Sequence, residues 1–195
     1  MTGEAALRSW RFTVASICAA LVALTFVVFE DVRNHEFLDY DDDRYIVDNP
    51  LMQTPLDGNG LRAFFRPYHD NWIPLTWLSL RADYALFGPR AGAFLATNVL
   101  LHALAAVALF LALARASGDL FASAFCAAVF AVHPLHVESV AWASERKDVL
   151  SGLFSLLTVL AYTHYAARSF SLARHTLVTV LFALALLAKP MAVTI

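Results

Sequence analysis

The sequence predicts an all-α fold, a polytopic membrane helix bundle of about five spans with an outer loop of short interfacial helices. Three observations lead there. Of 195 residues, 59% are hydrophobic and 15% charged, against about 25% charged in an ordinary soluble domain; mean hydropathy is +0.61. The charge is segregated, since 12–29, 91–114, 120–137, 149–167 and 175–188 contain no Asp, Glu, Lys or Arg. The short connections on one side of these runs are basic, the signature of cytoplasmic loops.

The elements follow in order. The run 12–29 extends roughly 27 Å at about 1.5 Å per residue, close to the thickness of bilayer hydrocarbon. It is long for a signal-peptide core, and no small-x-small site precedes Glu30, so it reads as a retained signal anchor. The loop 30–90 has turn chemistry at Asp48-Asn49-Pro50 and again over 56–60. Residues 61–87 interleave Leu61, Phe64, Trp72, Trp77 and Leu80 with Arg62, Arg66, Arg81 and Asp83, divided by Pro67 and Pro74. Such a pattern predicts short helices lying flat on the outer leaflet. Further spans are expected at about 91–114, 120–133, 148–167 and 175–192. The third and fifth are short and reach spanning length only by continuing past His133 or Lys189 or by thinning the bilayer. No period of 20–50 residues repeats. The closing phrase 188–195 is apolar with no polar tail, so 1–195 reads as the N-terminal portion of a longer membrane domain with no complete second domain.

With the N-terminus inside, the cytoplasmic pieces hold Arg8, Arg11, Arg115, Arg168 and Arg174 against Glu4 and Asp119, and the other acids fall outside. The predicted location is an integral, multi-pass position with a cytoplasmic N-terminus, in a bacterial inner membrane or an ER-like membrane. A net charge of −2 gives no case for nucleic acid. Cys18 and Cys126 lie inside apolar runs and read as packing residues rather than a disulfide or metal pair. Asn98 and His102 share a helix face, which suits an interhelical hydrogen bond; with His164 they also allow a transporter-like ion path.

Two constellations carry chemistry. Asp39-Tyr40-Asp41-Asp42-Asp43 follows the first span at head-group depth. Crowded carboxylates raise one another's pKa, which suits a general base or a metal ligand; a solvated acidic turn is the bland alternative. The spacing is not that of an EF-hand, because Arg44 and Pro50 stand where Gly and Glu are required. The second constellation joins spans three and four: His133, His136 and Glu138, then Glu145-Arg146-Lys147-Asp148. Arg146 and Lys147 can neutralise a phosphate. No third His and no HExxH accompany His133 and His136. Lys189-Pro190 closes the fifth span on the same side.

Several phrases occur together: Tyr40-Asp41-Asp42 with Tyr45 and Asn49-Pro50; Asn71-Trp72 with Pro74-Leu75-Thr76-Trp77; Asp83-Tyr84 with Leu86-Phe87-Gly88; Thr97-Asn98 with His102; 133–142; 145–148; and Lys189-Pro190. From about Phe37 onward they resemble the membrane part of the transmembrane-and-tetratricopeptide-repeat proteins. That family belongs to the GT-C glycosyltransferases, with the dolichyl-phosphate-mannose O-mannosyltransferases. The resemblance implies an active site on the non-cytoplasmic face and transfer of a sugar, mannose-like, from a polyprenyl-phosphate donor to a hydroxyl of a protein or glycan acceptor. It implies Asp41 or Asp42 as the base. It implies His133, His136, Glu138, Glu145, Arg146, Lys147, Asp148 and Lys189 as donor-phosphate or acceptor contacts. It names no certain cofactor and leaves a divalent metal open. Ile73 and Leu95 depart from the family pattern, which favours His or Arg there. A non-catalytic anchor for a C-terminal tetratricopeptide-repeat domain is the alternative.

Overall fold

A computed structural model describes residues 3–55 and 57–194. These residues form eight α-helices: α1 (Gly3–Val28), α2 (Gly58–Phe64), α3 (Pro74–Phe87), α4 (Ala91–Ser117), α5 (Leu120–Val132), α6 (Val137–Ala141), α7 (Arg146–Ala166) and α8 (Leu172–Ala188). Short 3-10 turns and one π turn, Asp43–Val47, link them. Helix α4 is the hub, packing on α1, α5 and α7, while α8 lies along α7.

Local chemistry explains the boundaries. Asp119 caps α5, its carboxylate accepting from the N–H of Phe121 (2.9 Å) and of Ala122 (3.0 Å). Gly118, at φ 74°, closes α4 in the left-handed conformation that glycine adopts without a Cβ clash. Gly92 is required for another reason: a Cβ there would stand 2.1 Å from the carbonyl oxygen of Arg33, so the turn Glu30–Asn34 lies directly on the α4 backbone.

The chain is a polytopic helical membrane bundle, but with fewer full spans than about five. Among the described residues, Leu7–Val28, Ala91–Ser117 and Ala143–Ala166 are long and apolar enough to cross a bilayer. A fourth exists if Leu120–Val132 and Pro134–Ala141, bent by 49° at their junction, count as one. The physical reason is Pro134. It supplies no N–H and excludes α geometry from the preceding residue, and His133 is extended at φ −67°, ψ 131°. At the other end, α8 spans 17 residues and stops at Lys189, which is extended ahead of Pro190, instead of continuing to 192.

The larger hydrophobic core lies at the loop end. Phe29, Tyr45, Ile46, Met52, Phe64, Ile73, Trp77, Leu80 and Phe94 are buried together there. We call this region, built from 29–99 and 140–149, the loop cap. Helix α3 is therefore not a flat surface element, since its Thr76, Trp77, Leu80 and Asp83 positions are buried against the rest of the fold. Lower in the bundle the buried positions of α4 are largely alanines, at 103, 105, 106, 108 and 112, the small residues that let membrane helices approach closely. Cys18 and Cys126 are free thiols.

Candidate active site on the loop cap

The two polar loops meet. Asp42 is 1% exposed. Its Oδ1 accepts from the Ser144 N–H at 2.8 Å and from the Ser144 hydroxyl in a second, very short bond. Its Oδ2 accepts from the Leu38 N–H at 3.0 Å. Three donors saturate this carboxylate and pin the acid turn to the segment between α6 and α7. Its neighbour Asp41 is half-buried, and no hydrogen bond or ion pair holds its carboxylate among the described residues. Asp39, Asp41, Asp43, Arg44 and Asp48 line one open hollow. There a hydrogen bond with Asp39, then desolvation and the neighbouring negative charges, raises the Asp43 pKa above the usual aspartate range.

Tyr45 sits between the loops. Its ring packs on Trp77 at 4.8 Å and carries the Lys147 ammonium 5.1 Å above its centroid. Its hydroxyl accepts from the Asn71 side-chain amide at 2.9 Å. Asn71 is aimed there by a tight turn in which His69 and Asp70 both have positive φ, as a type I′ turn demands. Burial, then the charges of Asp41 and Glu145, push the phenol pKa up; Lys189 opposes them. Tyr45 therefore stays protonated at neutral pH, with Asp41, Glu145, Lys147 and Lys189 gathered around it.

Arg146 turns the other way. It is 0% exposed and points into the cap. Its Nε donates to the Asn98 side-chain oxygen in a very short bond, Nη1 donates to Ser79 Oγ at 2.8 Å, and Nη2 donates to Asp83 Oδ2 at 2.6 Å and to the Phe94 carbonyl at 2.8 Å. Thr97 donates to the other Asp83 oxygen at 3.1 Å, and Asn98 donates to the Trp142 carbonyl at 2.9 Å. With its donors engaged in α3 and α4, this guanidinium holds the cap together and faces no cavity.

The remaining charges line a different space. Lys147 pairs with Glu145 at 2.7 Å, both mostly buried. Lys189 pairs closely with Asp148 in a bridge about 30% exposed on each side, 28% and 30%. Thr76 donates to the Ala188 carbonyl at 2.9 Å, satisfying an orphan carbonyl at the end of α8 and so fixing where Lys189 emerges. Asp148 and Lys189 stand at one end of a cavity of about 460 Å³, with His102, His136 and Ser139 beside them and Gly152, Ser155 and Leu156 farther along α7. His136 stacks between Phe130 (4.5 Å) and His102 (5.0 Å). The Ser155 hydroxyl is buried without a hydrogen-bond partner among the described residues. The result is a charged mouth on an apolar groove, the shape of an amphiphile.

His133 and Glu138 are exposed and do not line this space. His133 Nδ1 instead accepts from the Leu135 N–H at 3.3 Å, capping the turn after α5. Ile73 and Leu95 are buried in the apolar core. His102 Nε2 bonds the Ala131 carbonyl at 3.1 Å, and His164 bonds its own helix at Leu160, so neither aligns with Asn98 in a polar path. Among the described residues no three His, Cys, Asp or Glu side chains gather closely enough to hold a metal ion. Sequence reasoning missed Asp83, Ser144 and Tyr45 as site-builders. For Asp83 a signal existed: it shares the stripe 76, 80, 83 with residues destined for the core, an acid on an apolar helix face.

Three relatives show what the chain resembles. It is 36% identical over 159 residues to protein O-mannosyl-transferase TMTC2 of Mus musculus, covering 76% of this chain and 19% of that protein. It is 33% identical over 193 residues to Tmtc1 of Drosophila melanogaster, covering 90% and 21%, and 31% identical over 166 residues to TMTC3 of Mus musculus, covering 80% and 18%. The chain thus spans about a fifth of the length of the relatives it matches. No family model matches it, and no solved structure matches it significantly.

Proposed function

The chain is homologous to the TMTC protein O-mannosyl-transferases over most of its length, and from that premise we propose that it is part of a membrane glycosyltransferase. The enzyme moves a mannose-like sugar from a polyprenyl-phosphate donor to an acceptor hydroxyl on the non-cytoplasmic face. The observation that carries this reading is the hydrogen-bonded seam between Asp42 and Ser144. It holds a free carboxylate, Asp41, on the same face as the cationic mouth of an amphiphile-shaped groove.

The chemistry divides among named residues. The polyprenyl chain lies along the Gly152–Ser155 face of α7, and Lys189, assisted by Lys147, receives the donor phosphate. Asp148 holds Lys189 in place until the phosphate takes over as its counter-ion. Asp41 is the base and Asp42 the residue that positions it, because a carboxylate accepting three hydrogen bonds has little capacity left for an incoming proton. The acceptor oxygen attacks the anomeric carbon opposite the phosphate while Asp41 takes its proton. The bond from that carbon to the phosphate oxygen breaks, its electron pair leaves with the polyprenyl phosphate, and configuration inverts.

The test is sugar transfer by the full-length protein in membranes supplied with a polyprenyl-phosphate mannose. Asp41→Asn is expected to lower transfer about 10²–10⁴-fold with normal expression and unfolding temperature. Undiminished transfer by a normally folded Asp41→Asn protein defeats the assignment. A second reading, a non-catalytic anchor, draws on the fact that Lys147 and Lys189 both already have carboxylate partners; it requires that Lys189→Met leave every transfer activity unchanged.

A further inference from the structure

At the far end of the bundle a second pocket lies roughly 27 Å along α7 from Arg146, at about 1.5 Å per residue to His164. A groove of about 440 Å³ runs between α7 and α8, walled by Leu157, Leu160 and Leu181, with His164, Arg168 and Arg174 at its mouth. An adjoining cavity shares Leu160 and His164 and brings in Arg115.

The charges here are uncompensated. None of Arg115, Arg168 and Arg174 joins an ion pair among the described residues, and Asp119, on the neighbouring turn, is spent capping α5. Arg174 donates through Nη2 to the Ser169 carbonyl at 2.5 Å, which orients its guanidinium, while its Nε is buried with no acceptor. A buried donor without a partner costs about 1–3 kcal/mol. An anion at the mouth supplies the missing acceptor. The leucine walls require that the anion carry an apolar tail.

We propose that this groove binds an anionic phospholipid, with its phosphodiester between Arg168 and Arg174 and one acyl chain between α7 and α8. A zwitterionic lipid would bring its own ammonium into a cluster of guanidiniums, and a free phosphate would leave the apolar walls bare. This site lies at the opposite end from the proposed active site and does not depend on it.

Native mass spectrometry of the full-length protein, released from equal mixtures of phosphatidylglycerol and phosphatidylcholine, tests the proposal. Phosphatidylglycerol should be retained preferentially, and each of Arg168→Gln and Arg174→Gln should weaken that retention about fivefold. Leu181→Trp, which fills the groove and keeps every charge, should lower retention as well and decides the matter if the arginine variants fail to fold. Equal retention of the two lipids, a preference that survives in the folded double arginine variant, undiminished retention in Leu181→Trp, or displacement by inorganic phosphate overturns it.

Discussion

The loop cap and the membrane-embedded bundle are held together by different forces. In the cap, large side chains such as Trp77, Phe64, Phe94 and Ile46 are wholly buried, and a buried ion network around Arg146 fastens α3, α4 and α7 to one another. In the bundle the buried residues are mostly alanines, while Phe12, Phe121 and Phe125 are exposed, Phe121 to 86%. The difference follows from the solvent. The cap stands where water drives apolar burial. Lipid tails are as apolar as the side chains, so helix association there rests on close backbone approach instead. Fixed geometry is therefore concentrated in the cap, where the polar groups of the proposed active site converge.

Substitutions at chosen points separate the two regimes. The largest effect is expected from Arg146→Ala, which strands Asp83 as a buried unpaired charge. A loss of about 3–5 kcal/mol should appear as a lowered unfolding temperature in detergent. Arg146→Met with Asp83→Leu should recover most of it; failure to recover would mean the network does more than neutralise charge. Next is Gly92→Ala at the seam between the two regions. Its methyl meets the Arg33 carbonyl, so about 1–3 kcal/mol of overpacking cost should be read in the same unfolding experiment. Phe121→Ala should change stability by less than about 0.5 kcal/mol, because lipid replaces what lipid already covered. A larger loss would show that this face is packed against protein in the full-length molecule.

The smallest effect concerns pH. The Asp43 pKa is raised in the folded state, so that state binds the proton more tightly than the unfolded chain, whose aspartates titrate near about 3.9. The associated stabilisation is complete below the unfolded value and disappears as pH rises through the folded one. Asp43→Asn should flatten that segment of a stability-against-pH curve, measured by thermal unfolding, and leave the neutral arm unmoved.

Much of this division was legible in the chain. Apolar runs located α1, α4 and α7, and the family phrases singled out Asp41, Asp42, Asp148 and Lys189. What periodicity does not reveal is direction. Arg146 and Lys147 are neighbours with the same charge, yet one points into the cap and the other covers Tyr45. Helical rotation of about 100° per residue separates them, and only the partners Asp83 and Asn98, 63 and 48 residues away, decide which faces inward. Asp41 and Asp42 divide in the same way, through a serine that no local pattern marks. The count of spans erred at Pro134, which was visible, because a broken helix and a continuous one have the same hydropathy.

The bond between Asp42 and Ser144 also sets a timetable. Its partners are 102 residues apart in the chain, and ribosomes add about 5–20 residues per second, so the aspartate is synthesised roughly 5–20 s before the serine exists. During that interval the first loop has emerged without the segment that fastens it, and closure of the cap becomes a late event of biogenesis, after α4 and α5 have already been made.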